Sequence, residues 1–449
     1  MPRRWGIGAV YLLLIIVPAV ATVLVLGAGK GASSAAAPQA SHGFPVYRLL
    51  IAIVVIILCC KLAGFAMRAL RQPRVVGEIA AGLLLGPTVF GAVWPDAHAA
   101  LFPSAISGPL TTLAQLGVVL FVFLAGLEID PKLLRGNGNL TATVSLAGLA
   151  VPMLFGALFA VASYSSLAPG DVGLPAFALF IGIAMSVTAL PVLADMLRDS
   201  PLAGSPLAVV ALACATIDDV VAWILLAVVV SLLGGVAGGF AATIGLTAGF
   251  VLLLVFAVRP LLTTLLTGER LGPGGKLAVL LLGALSAAAV TDWIGIHAVI
   301  GAFAFGLAVP RVPGLAERTT ARVGSVTGAL LLPLFFAVSG LNADLSGLGG
   351  ALWGWVAFAL AVAVLGKVGS AALAARAVGT RWSDSLTLGW LMNCRGLTEL
   401  VVLDVGLRLG VLSPAAFTVL MITALVCTAM TGPAIATAKP PVPVLSERT

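Results

Sequence analysis

Residues 207–233 read LAVVALACATIDDVVAWILLAVVVSLL, an apolar run interrupted in its middle by Asp218 and Asp219 and by no other charge. About 20 residues of this kind cross a bilayer as one α-helix, so the run is long enough to span. A carboxylate at mid-helix costs roughly 2.5–3.5 kcal/mol of insertion free energy, and two on one turn repel each other. A helix that only fills space has little reason to carry both. The pair therefore reads as an ion or proton site, the plainer alternative being a helix that lines a polar cavity where neighbours satisfy the two acids.

The rest of the chain has the same character. Hydrophobic residues make up 61% of it and charged residues 9%, with a mean hydropathy of +1.17, which identifies an all-α polytopic membrane protein. Apolar windows of about 20 residues begin near residues 7, 46, 74, 110, 140, 174, 206, 240, 275, 295, 326, 351, 385 and 414. The first is ambiguous. Arg3, Arg4, the run Ile7 to Leu26 and the small residues after it also fit a secretory signal peptide, so 13 to 14 transmembrane helices are expected. Residues 1–45 form this extra span or signal peptide with a Gly/Ala/Ser linker, 46–437 the membrane domain, and 438–449 a Pro-rich tail too short to fold as a regulatory domain.

Charge placement tests the span assignment independently. With a cytoplasmic N-terminus, Arg68, Arg71, Arg74, Lys132, Arg135, Arg198, Arg259, Arg270, Lys276, Arg311, Arg318, Arg322, Arg376, Arg381 and Lys439 fall inside, and Lys30, Arg48 and Arg408 outside. That is the positive-inside pattern of a multi-pass protein with its C-terminus in the cytoplasm, and the cell (plasma) membrane is its expected location. The net charge of +7 thus reports topology, and no clustered basic face with interleaved aromatics suggests nucleic acid. Cys59, Cys60, Cys214, Cys394 and Cys427 lie within spans without zinc or redox spacing, and His42, His98 and His297 are scattered. No cofactor is expected.

A weak self-similarity runs through the chain. Leu120-Phe121, Gly126-Leu127 and Asp130 recur 214 residues later as Leu334-Phe335, Gly340-Leu341 and Asp344, and Gly82-Leu83 with Pro87 is echoed by Gly306-Leu307 with Pro310. The copies stand seven spans apart, and an odd offset inverts the second relative to the first. Inverted repeats, here about 74–233 and 295–437, belong to secondary transporters whose ion sites sit where discontinuous helices meet. Two such breaks are expected at matching places. Ser186-Val187-Thr188-Ala189-Leu190-Pro191 contains a proline that lacks an N–H and frees carbonyls, and Asn393-Cys394-Arg395-Gly396-Leu397-Thr398-Glu399 interrupts an otherwise apolar helix. Lys367, the only charge between Ala351 and Ala375, offers a neutralising partner for the acid pair.

In order along the chain stand Gln72-Pro73-Arg74-Val75-Val76-Gly77-Glu78-Ile79, Gly126-Leu127-Glu128-Ile129-Asp130, Ser186-Val187-Thr188-Ala189-Leu190-Pro191-Val192-Leu193, Asp218-Asp219-Val220-Val221-Ala222-Trp223, Gly295-Ile296-His297-Ala298, Gly366-Lys367 and Arg395-Gly396-Leu397-Thr398-Glu399-Leu400. Taken together this set resembles the monovalent cation:proton antiporters of the second major branch, in particular the cation/H+ exchanger type, from about residue 46 to 437. The resemblance implies a six-span core with two crossed discontinuous helices, a separate scaffold that forms a homodimer, and elevator-like alternating access. It also implies that Asp219 carries cation and proton in turn and that Lys367 pairs with Asp218. The acidic first position is found in many electrogenic members, whereas the surrounding motif is of the exchanger type.

Adjacent helical positions diverge by about 100°, so the two acids can serve different partners. The expected arrangement has Asp218 facing Lys367, and Asp219 pointing at the break around Thr188, where freed carbonyls add oxygen ligands for Na+ or K+. Ser186, Pro191, Arg395, Gly396 and Glu399 support the broken helices, with Glu399 paired to Arg395. Glu78 and Asp404 are expected to line the path or cap helices, and Asp195 and Arg198 to sit at an entrance or on the surface. A cation-coupled organic solute symporter on the same scaffold and a non-transporting membrane sensor are the rival readings. A channel lacks a recognisable filter, and an intramembrane aspartyl protease needs its two acids on separate helices.

Overall fold

A computed structural model of the chain describes residues 46–436 apart from 71, 130–137, 199, 234–238, 269–270 and 344–349. The expected span near residue 7, the 438–449 tail, Asp130 and Asp344 lie outside the described residues. Within them every regular element is helical. Eleven helices are long and apolar enough to cross a membrane. In chain order the elements used below are α1 (Val46–Ala69), α2 (Arg74–Leu85), α3 (Ser104–Glu128), α4 (Gly138–Leu167), α5 (Leu174–Ser186), α6 (Leu190–Arg198) and α7 (Pro206–Leu233). They continue with α8 (Ala242–Thr267), α9 (Pro273–Ile294), α10 (Ala298–Ala308), α11 (Leu315–Leu341), α12 (Leu352–Ala377), α13 (Trp382–Met392), α14 (Leu397–Arg408) and α15 (Pro414–Ala436).

Two of the expected span positions are filled by shorter pieces. The one near 295 is the eleven-residue α10, and the one near 385 is divided into α13 and α14 around residues 393–396. The multi-pass helical architecture is thus present, with α5–α6 and α13–α14 as its two discontinuous members.

Packing separates the helices other than α8, which touches α7, α9 and α10, into two groups. One comprises α4, α5–α6, α7, α12, α13–α14 and α15: α4 runs along α5, α7 packs on α4, α5 and α13, and α12 packs on α4, α13 and α15. The other is built from α1, α2, α3, α9, α10 and α11, with α10 against α3 and α9, and α11 against α2 and α3. Large apolar side chains such as Phe65, Leu146, Phe256 and Leu282 point outward, whereas Asp218, Lys367, Arg395 and Glu399 are buried. This inverted polarity suits a bundle solvated by lipid tails, where helix association relies on close packing and internal hydrogen bonds.

Glycines set the closest approaches between elements of the second group. A Cβ on Gly82 would lie 2.1 Å from the Phe336 carbonyl oxygen, and one on Gly340 2.0 Å from the Gly82 carbonyl carbon. Likewise a Cβ on Gly126 would sit 2.6 Å from the Phe303 carbonyl oxygen, and one on Gly306 2.4 Å from that of Phe123. Only glycine permits these crossings of α2 with α11 and of α3 with α10.

Candidate ion-binding site

The first break follows from Pro191. In a continuous helix its ring would collide with the carbonyl of residue 187, and its missing N–H would leave a rung unmade. The chain resolves this by leaving helical geometry over residues 187–189 and restarting at Leu190, so that Pro191 occupies the first turn of α6, where an N–H has no helical partner anyway. At the second break Gly396 adopts φ +156° and ψ −125°, and a Cβ there would lie 2.8 Å from Val192 Cγ2. The two breaks touch. The Ala189 N–H donates to the Cys394 carbonyl at 3.0 Å, and the Thr188 hydroxyl lies 3.1 Å from the Met392 carbonyl.

The middle of α7 passes beside this junction and brings in the acid pair. Asp218 is fully enclosed and fully partnered: Ser145 donates to Oδ1 at 3.0 Å, and Thr188 and Lys367 lie 2.7 and 2.8 Å from Oδ2. Lys367 comes from a π-type turn, Leu365–Gly369, within α12. Its ammonium uses its three donors on Asp218 and on the carbonyls of Gly148, at 2.7 Å, and Ser186. The single Thr188 proton serves either Asp218 or Met392.

Asp219 has a different environment. The Leu190 amide, at the head of α6, and the Thr398 hydroxyl, in the first turn of α14, face its carboxylate. Its Oδ1 is buried with no hydrogen-bond partner among the described residues. Asp219 thus sees the starts of both second half-helices, where unpaired N–H groups and the helix dipole favour negative charge.

Two details differ from the expected arrangement. Thr188 bonds Asp218, not Asp219, while the N–H of Leu190 at the other end of the break faces Asp219. The carbonyls of Ala184, Met185 and Ser186, at the end of α5, are also not open ligands. Lys367 takes that of Ser186, and the Arg395 guanidinium reaches those of Met185 at 2.6 Å and Ala184 at 3.5 Å. Arg395 pairs with Glu399 at 2.9 Å as expected, although it stands in the break itself, ahead of α14. The Thr428 hydroxyl holds the Arg395 backbone on both sides, accepting from its N–H at 3.1 Å and donating to its carbonyl at 2.6 Å.

Ser186 lies at the end of α5, its hydroxyl donating to Ile183 at 2.8 Å while its carbonyl serves Lys367. Ser145, Gly148, Leu190 and Thr398 were not among the expected site residues. Thr398 was visible within the Arg395–Leu400 motif, whereas nothing in the sequence around Ser145 and Gly148 distinguishes them. Of the outlying charges, Glu78 pairs with Lys61 at 3.0 Å and Asp404 with Arg408 at 2.7 Å. Asp195 joins Arg68, Gln72, Arg74, Met196 and Ser200 around a cavity of about 460 Å³. That cavity approaches the junction through Met196, whose sulfur lies 3.5 Å from Cys394 Sγ.

The family model for the transmembrane sodium/hydrogen exchanger matches residues 51–438. The Na+/H+ antiporter NhaS4 of Synechocystis sp. is 35% identical over 392 residues, covering 86% of this chain and 95% of that protein. Cation/H+ antiporter 17 of Arabidopsis thaliana is 37% identical over 400 residues, and K+/H+ antiporter 1 of Saccharomyces cerevisiae 33% over 404. The chain spans about half the length of these two relatives, 48% and 46%, while they cover 87% of it. In structure it resembles the sodium proton antiporter MjNhaP1 of Methanocaldococcus jannaschii, with a TM-score of 0.59 at 12% identity over 86% of this chain and 96% of that one. The chain belongs to the sodium/hydrogen exchanger family, and so to the monovalent cation:proton antiporters, which are secondary transporters and not enzymes.

Proposed function

We propose that this protein exchanges Na+ or K+ for protons, with Asp219 binding cation and proton in turn. The observation that carries the reading is the contrast within the acid pair. Asp218 is neutralised by Lys367 and hydrogen-bonded by two hydroxyls, while Asp219 keeps one buried oxygen unpartnered. A buried carboxylate in that condition needs a positive ligand or a proton, and leaving it bare is costly. Because either ligand excludes the other at the same oxygens, binding of one displaces the other, and exchange follows without a relay.

Asp218 and Lys367 act as the fixed support of the site, with Thr188 joining it to the broken helices. Thr398 is the added oxygen ligand beside Asp219, and Ser186, Pro191, Arg395, Gly396 and Glu399 hold the two half-helices in place. The division into two packed groups supports elevator-like movement of the group carrying Asp219 against the other, which forms the homodimer. The Gly82–Gly340 and Gly126–Gly306 approaches support the inverted repeat: the proposed equivalences, Gly82 with Gly306 and Gly126 with Gly340, convert one approach into the other. Operating in the plasma membrane with its arginine-rich ends and C-terminus in the cytoplasm, the protein opens its 460 Å³ cavity to the inside in this conformation. Its relatives bear the names of both Na+/H+ and K+/H+ antiporters, so both cations belong in the test.

Purified protein in liposomes loaded with a pH dye, challenged with Na+, K+ or Li+, tests the proposal. A cation-dependent pH change that vanishes in Asp219→Asn is the expected result, and valinomycin clamping in the Na+ assay reads whether net charge moves. Absence of any response between about pH 6 and 9 would leave the organic solute symporter or the sensor to be examined.

A further inference from the structure

The Gly295-Ile296-His297-Ala298 motif takes no part in the Asp219 site, yet it shapes the backbone at one end of the bundle. After α9 the chain turns through Gly295 at φ +85°, and His297 is the only non-glycine residue with positive φ among those described. His297 caps α10 by accepting the Val299 N–H on Nδ1 at 3.5 Å, and it lines a cavity of about 90 Å³. Gln115 of α3, Asp292 of α9 and Val401 and Asp404 of α14 line the same cavity. About 10–15 Å³ of such space suffices for one water, so a partly hydrated small ion fits.

Asp404 supplies the second, independent observation. The residue is 6% exposed, its Oδ2 accepts from Arg408 Nε at 2.7 Å, and its Oδ1 is buried without a partner among the described residues. The charged and titratable groups that meet here are Asp292, Asp404, Arg408 and His297. Two carboxylates against one guanidinium leave the cavity acidic while the imidazole is neutral. Its place is equally specific. Thr398, which faces Asp219, and Asp404 are six residues apart on α14, about 9 Å along the axis. The ends of α9 and α14 and the start of α10 put the cavity at the end of the bundle away from Arg74, Arg198 and the larger arginine-lined cavity.

We propose that this cavity is a second cation site, an antechamber in which Asp404, Asp292 and Gln115 hold a proton or a partly hydrated Na+ or K+ ion on its way to or from Asp219. It rests on the antiport reading and adds a sidedness that reading does not require. The whole protein in proteoliposomes of defined orientation tests it, with Na+ and K+ as probes added from one side at a time. In Asp404→Asn and in Asp292→Asn, which leaves the Arg408 pair intact, half-saturation from the Asp404 side rises about fivefold or more, the scale of a single cation–carboxylate attraction in a wet site. The maximal rate and half-saturation from the arginine-rich side stay at wild-type values. If the resident ion is a proton, the displacement appears instead in the pH giving half-maximal rate on the Asp404 side. Wild-type kinetics from both sides in both variants overturn the antechamber, as does an equal loss from both sides, and the antiport reading survives in either event. A wild-type protein without cation-driven proton movement overturns both.

Discussion

Lys367 Nζ lies 2.8 Å from Asp218 Oδ2, with both side chains fully buried, and this ion pair divides the two acids into a partnered and an unpartnered member. Removing one member of a buried ion pair strands the other and costs about 3–5 kcal/mol, whereas replacing both with neutral groups is far milder. Lys367→Met is therefore expected to lower the thermal stability of the detergent-solubilised protein sharply. Asp218→Asn combined with Lys367→Met should recover most of the loss, as read by melting with size-exclusion detection.

The close approach of Gly82 to Gly340 leads to a packing prediction. Gly340→Ala places a methyl group into backbone of α2, and overpacking of this kind costs about 1–3 kcal/mol. Gly354, on α12, has nothing within 4 Å of where a Cβ would stand. Gly354→Ala should be neutral or stabilising by up to about 1 kcal/mol through helix propensity. Similar losses in both variants would count against the crossing being tight.

Thr188 and Thr398 both border the acid pair but face different members of it. Hydrogen bonds to charged groups are worth about 1.5–3 kcal/mol, so Thr398→Val is expected to raise the half-saturating cation concentration by about tenfold or more. Thr188→Val loosens Asp218 and the link to Met392, and its main effect should fall on stability and maximal rate. Concentration-dependent transport assays on the two variants separate these effects.

Arg395 ties the second break to the end of α5 through Met185 and to α14 through Glu399. Arg395→Ala removes a buried charge from a carboxylate and should cost about 3–5 kcal/mol. Arg395→Lys retains the charge without the planar fork and should restore only part of the stability. Arg395→Ala/Glu399→Gln should outlast Arg395→Ala alone in a thermal-inactivation time course, because no unpaired charge remains.

Much of this was legible in the chain. Leu207 to Leu233 announces a span, and most of the expected helix starts after residue 45 fall close to the observed ones because hydrophobic length is a one-dimensional property, whereas the helices expected near 110 and 326 begin at Ser104 and Leu315. Pro191 marked the first break through its own backbone chemistry, and the polar run from Asn393 to Glu399 in an otherwise apolar helix marked the second. The i to i+4 spacing of Arg395 and Glu399 foretold their pairing even though Arg395 is not in the helix. Less was legible where partners come from distant helices: Ser145 and the Gly148 carbonyl reach Asp218 and Lys367 only because α4 packs beside α7 and α12.

The sequence by itself determined that the chain crosses a membrane many times, that two helices break, and that two acids and a lysine lie at membrane depth, since each follows from local composition. Only the tertiary structure decided that Asp218 takes Lys367, Ser145 and Thr188, and that the carbonyls of Ala184, Met185 and Ser186 go to Lys367 and Arg395. It also left Asp219 facing Leu190 and Thr398 with one oxygen bare. The reason is geometric: adjacent acids diverge by about 100° on their helix, and which helices stand on each side is fixed by packing across the whole bundle.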